Sequence, residues 1–76
     1  MKERTASNYL KDLGSLVKEK ALEAKEIAQI SVDPFDKGVL MAFHDIVSLM
    51  QSQAVVFGLS LEEIELSDIN PDADLL

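Results

Sequence analysis

Asp33 followed by Pro34 divides this chain into two stretches that each read as helix, and it limits how they can be joined. Proline lacks a backbone donor and holds φ near its helical value, so it suits the first helical position behind a capping aspartate. The residue before a proline is kept out of the helical region, so a helix arriving from the N-terminal side must end before Asp33. Helices separated by so few residues lie antiparallel, as a hairpin.

The first helix is expected over about residues 6–30, ASNYLKDLGSLVKEKALEAKEIAQI, rich in Ala, Leu, Lys and Glu and free of proline. Thr5 or Ser7 is its candidate cap. At about 100° per residue, Ala6, Tyr9, Leu10, Leu13, Leu16, Val17, Ala21, Ala24, Ile27 and Ala28 fall in an arc of roughly 140°. Gly14 lies at the edge of this stripe; the expectation is a tolerated glycine costing ~1 kcal/mol, in preference to a site of close approach. Lys20 projects within the arc and is expected to carry its ammonium to the rim, toward an acid of another helix.

The second helix is expected over about 34–57, with Gly58 as the left-handed residue that ends it. Its apolar residues, from Val39 to Phe57, spread over about 200°, wider than the first helix can cover. The uncovered remainder would be a contiguous apolar patch, which soluble monomers rarely carry at large size, so either the C-terminal segment folds back over it, or a second copy covers it, or both. Ser60 and Glu63 then form a capping box, so a short helix is expected over about 61–66. An acidic tail, 67–76, follows that is extended or turn-like after Asn70–Pro71, with Leu75 and Leu76 as candidate anchors.

A chain of 76 residues buries only about 60–65% of its unfolded surface, and such small folds usually need a supplement. With no cysteine and one histidine, disulfides and thiolate metal sites are excluded. Self-association is the remaining supplement. The expected fold is therefore all-α: one domain, 1–76, an antiparallel helical hairpin with a short C-terminal helix, dimerising into a four-helix bundle. The expected dimer face is Val39, Phe43, Ile46, Met50, Gln53 and Phe57, where Gln53 either pairs with its symmetry mate to fix register or bonds a nearby backbone carbonyl or lies at the bundle edge.

Charge bears on partners. The net charge is −7; residues 31–76 carry one Lys and nine acids, and six of those acids follow Ser60. This excludes nucleic-acid binding by phosphate neutralisation. No signal-peptide-length apolar stretch or membrane span is expected, which points to a cytoplasmic protein.

Candidate chemistry is thin. In SDINPDADLL, Asp68, Asn70, Asp72 and Asp74 are spaced like calcium-loop ligands, but Ala73 stands where glycine is needed and the bidentate glutamate is missing, so no metal is expected. Adjacent helix residues project about 100° apart, so His44–Asp45 is not a carboxylate-oriented catalytic imidazole. Glu23-x-x-Glu26 with Asp33-x-x-Asp36 is similar in spacing to the paired acidic motifs of all-helical nucleotide pyrophosphohydrolases. The second pair straddles a helix start, however, and these acids read as solvating charges. No catalytic residue and no cofactor is expected.

Two function classes remain. One is a small non-enzymatic interaction or structural protein acting as a homodimeric bundle. The other is an acidic inhibitor, immunity-type or mimicking nucleic acid, whose Glu62, Glu63, Glu65, Asp68, Asp72 and Asp74 occupy a basic site on a partner.

Overall fold

The computed structural model describes residues 3–76; Met1 and Lys2, the first residues of the expected domain, lie outside the described residues. Two long helices, α1 (Glu3–Ile30) and α2 (Pro34–Val56), form the hairpin, and a single helical turn, α3 (Pro71–Asp74), lies near the C-terminal end. No strand occurs among the described residues. The molecule measures 45 × 19 × 17 Å.

The hairpin turn is built as its sequence implies. Asp33 stays extended and its Oδ1 accepts from the Phe35 amide at 3.0 Å, with Pro34 at the first helical position. Ser31 holds the turn from inside: its hydroxyl donates to Asp36 at 2.6 Å and accepts from the Asp33 amide at 3.0 Å. The acids of the two spaced pairs thus include one helix cap and one turn clamp. Helix α1 begins earlier than Thr5 or Ser7 would set it, and both lie within the helix.

At the far end, Gly58 adopts φ +72. The Gly58 amide donates to Val55 at 3.1 Å and the Leu59 amide to Ala54 at 2.8 Å, the paired bonds of a Schellman end. The Ser60–Glu63 box also forms, Ser60 Oγ accepting from the Glu63 amide at 3.2 Å. No helix follows it. Residues 61–65 form successive turns where a helix over 61–66 is expected. Glu65 takes φ +59, and the Leu66 amide donates back to Leu61 at 2.9 Å, so the chain closes one turn and reverses. The reversal sends Leu66 inward, where it is fully buried.

After Asn70, where an extended or turn-like end is expected, the chain closes the single turn of α3. Asn70 Oδ1 accepts from the Asp72 and Ala73 amides at 3.1 and 3.2 Å, and Asp74 Oδ2 accepts from the Asn70 amide at 2.8 Å. Leu75 is the anchor and is fully buried; Leu76 is exposed.

The core shows why this segment is integral. Helix α1 contributes Ala21, Ala24 and Ala28; α2 contributes Leu40, Val47 and Ala54; the segment after Gly58 contributes Ile64, Leu66, Ile69 and Leu75. With alanine on the first helix, most of the large buried side chains come from the C-terminal segment, which lies along the groove between the helices. Gly14 makes that possible. It is buried, and a Cβ there would overlap the Ile64 carbonyl oxygen and come within 2.9 Å of its carbon. The expectation of a merely tolerated glycine is corrected: the site is one of close approach, to a turn rather than to a helix.

Candidate interaction surfaces

The hairpin has two faces, and the C-terminal segment occupies one. On that face Lys18 donates to both Asp68 oxygens, at 2.9 and 3.1 Å, and Lys25 donates to the Leu76 carbonyl at 2.6 Å. Gln51 Nε2 bridges the Leu66 and Ile69 carbonyls at 3.0 and 2.9 Å. His44 Nε2 lies 2.7 Å from Asp72 and, contrary to the expectation that neighbouring helix positions keep the two apart, its Nδ1 lies 3.1 Å from Asp45, so both ring nitrogens are oriented by carboxylates. Helix α2 thereby supplies two polar fasteners to the segment, and α1 supplies two lysines.

The acidic residues are mostly engaged in these contacts. Glu63 closes its capping box, Asp68 meets Lys18, Asp72 meets His44 and Asp74 caps α3; Glu62 and Glu65 extend into solvent. Asp68, Asn70, Asp72 and Asp74 therefore point to four different partners and do not converge. No group of three or more metal-ligating side chains occurs among the described residues. A polar depression of about 620 Å³ between α2 and the segment is open and lined by Ser48, Ser52, Asp68 and Asn70, among others.

Two of these contacts shift titrations in opposite directions. The hydrogen bond to Asp72, then that to Asp45, raises the His44 pKa above its ordinary 6.5. The Lys18 hydrogen bond lowers Asp68 below its ordinary 3.8. A raised histidine stabilises the fold fully below its unfolded pKa, and that contribution is lost as pH rises through the folded value. A lowered carboxylate contributes above its unfolded pKa, and that contribution is lost as pH falls through the folded value. Both fasteners hold together between the two folded-state pKa values. An NMR titration of the imidazole should give a midpoint above 6.5, and Asp72→Asn should move it down. A midpoint unmoved by Asp72→Asn would rule out the contact.

The opposite face is apolar and open. Along α2, Phe35, Val39, Ala42, Ile46, Leu49, Gln53 and Val56 recur at alternating steps of four and three, the spacing of a heptad seam. Phe35 is 72% exposed, Leu49 63% and Val56 72%; Val39 alone of the seven is half-buried. Along α1, Tyr9, Leu13, Leu16, Lys20, Glu23, Ile27 and Ile30 repeat the same steps, with Lys20 and Glu23 4.0 Å apart at the middle. At about 100° per residue, each seam lies more than 100° around its helix from the residues that hold the C-terminal segment.

Of the expected dimer face, Ile46, Gln53 and Phe57 are exposed, while Val39, Phe43 and Met50 are half-buried against the core. Phe35, Ala42, Leu49 and Val56 were not in that set, although the alternating spacing that links them was visible in the sequence. Near the open end of the hairpin, Leu10, Met50, Gln53, Phe57 and Leu59 border an apolar crevice of about 510 Å³.

Contrary to the expectation that nothing approaches a membrane span, α2 is long and apolar enough to cross one by length and composition, and little of it is buried. Asp45 stands at its middle and is exposed. No known protein family, curated protein or solved structure matches the chain.

Proposed function

We propose that this protein is a non-enzymatic interaction module that works as a homodimer, two hairpins meeting through their open faces to form a four-helix bundle. The observation that carries the reading is the pair of heptad-spaced seams left uncovered on one face. Area supports it. The accessible surface is 5387 Å², where a monomer of 8.4 kDa is expected to expose roughly 4600 Å². The excess is close to the ~800 Å² that each partner gives up in a standard interface.

A second copy suits this face better than lipid. An exposed Asp45 at the middle of α2 would lie near the bilayer centre, at a cost of roughly 2.5–3.5 kcal/mol on insertion scales. In the dimer the C-terminal segments face outward on opposite sides, so the bundle displays two acidic surfaces to other proteins. The inhibitor reading is the weaker one, because four of its six carboxylates already accept bonds within the chain.

Light scattering after size exclusion tests the proposal. The parent chain should run near twice 8.4 kDa, and Ile46→Asp should give a monomer of unchanged helicity. A parent that stays monomeric at hundreds of micromolar would overturn it.

A further inference from the structure

The seams also bear on how two copies are oriented, an inference that rests on the dimer reading above. Two hairpins can meet face to face about a two-fold axis in only two ways. Either the Ser31–Asp33 turns lie at opposite ends, with α1 on α1 and α2 on α2, or they lie at the same end, with α2 of each copy on α1 of the other. Both make every neighbouring helix pair antiparallel, so helix direction does not choose between them.

Charge does. Asp45 is the central residue of Pro34–Val56 and flanks the α2 seam. Lys20 interrupts the α1 seam ten residues before Ile30. With about 1.5 Å of rise per residue, both lie roughly 15–17 Å from the hairpin turn. If the turns were apart, centring the α2 helices would set Asp45 against Asp45 of the other copy and leave the two Lys20 side chains within a few ångströms along the axis. Both are like-charge encounters at the centre of the interface. If the turns are together, Lys20 of each copy comes level with Asp45 of the other, twice per dimer. Lys20 is exposed and its partner within the chain, Glu23, is at the outer limit of an ion pair at 4.0 Å, so it is free to turn toward a second acid. Asp45 meets His44 Nδ1 at 3.1 Å through Oδ1 only, which leaves its other oxygen for Lys20.

We propose that the dimer forms with its hairpin turns at the same end, α2 of one copy on α1 of the other, secured by reciprocal Lys20–Asp45 pairs.

The absence of cysteine permits a direct test. Val32, 97% exposed in the turn, is replaced by cysteine and spin-labelled, and the distance between labels is measured alongside the mass. Turns together should give a distance below about 25 Å, a few helix diameters at most. Turns apart should give more than about 30 Å, set by the length of α2. A dimer with the long distance overturns the orientation alone; a monomer overturns the dimer with it.

Charge reversal is the second readout. Lys20→Glu should weaken dimerisation about five- to ten-fold, a few-fold for each of two exposed pairs, and adding Asp45→Lys should restore it. With turns apart, the double variant only exchanges the like-charge encounters. Failure of the double variant to recover affinity would count against the proposal.

Discussion

Gly14→Ala is expected to lower the thermal midpoint by up to about 16 °C, although alanine is the better helix former. On propensity alone the change should gain ~1 kcal/mol. Here the added methyl meets the backbone carbonyl of Ile64, with its carbon at 2.9 Å, and not the yielding end of a side chain. Ile64 is itself buried, and the turn that carries it is tied down by Leu66, so the carbonyl cannot step aside without lifting the segment out of its groove. Overpacking of this kind costs ~1–3 kcal/mol and at times more, and in a domain this small each kcal/mol moves the midpoint by about 4–8 °C. Gly38→Ala is the internal control. Nothing lies within 4 Å of a Cβ there, so the same substitution should be neutral or stabilising by up to ~1 kcal/mol. Circular-dichroism melts of both variants decide the matter. If Gly14→Ala melts at or above the parent, the segment does not lie on α1 as described.

The same glycine shows where local reading stops. The hairpin was legible because its signals are short-range: an aspartate before a proline starts α2, and Gly58 ends it in the left-handed region. Asn70–Pro71 carries the same cap-and-proline signal as Asp33–Pro34, and it starts α3 in the same way. An extended or a turn-like end was compatible with the residues that follow, and the cap-and-proline signal selects the turn. The turn over residues 61–65 was not readable. Its capping box is real, but the helix that should follow is cancelled by Glu65 at φ +59, a conformation that glutamate adopts only because Leu66 and Ile64 are then both buried. Gly14 is opaque for a related reason: its role depends on a carbonyl 50 residues away in sequence.

The candidate surfaces divide along the same line. The heptad steps on both helices are a property of the sequence, yet the wide apolar arc of α2 blurred them, because that arc serves two purposes. One side receives the C-terminal segment and the other remains open, and only the position of the segment separates the two. Gln51 is a case in point. By helical angle it belongs to the polar side of α2, and its role as a bridge to two carbonyls follows only from where residues 66–69 lie.

Leu66→Ala should produce the largest loss from any single side chain, roughly 2–5 kcal/mol, and with it a drop of at least about 8–16 °C in the midpoint. Leu66 is fully buried in the cluster that holds Val47 and Leu75, which are also fully buried, so the truncation leaves a cavity at the junction of all three segments. Its backbone is fixed on both sides, the amide by Leu61 and the carbonyl by Gln51, which limits collapse into the space. Leu76→Ala, on an exposed side chain of the same type, should change stability by no more than about 0.5 kcal/mol. The location of the damage is informative as well. The segment packs on the face opposite the seams, so, on the proposed homodimer, the folded variant should keep the mass of a dimer. Hydrogen exchange should quicken first in residues 59–76 and only later in the seams. If Leu66→Ala instead dissociated the dimer while α1 and α2 stayed protected, the C-terminal segment would itself lie at the interface, and the assignment of the two faces would have to be exchanged.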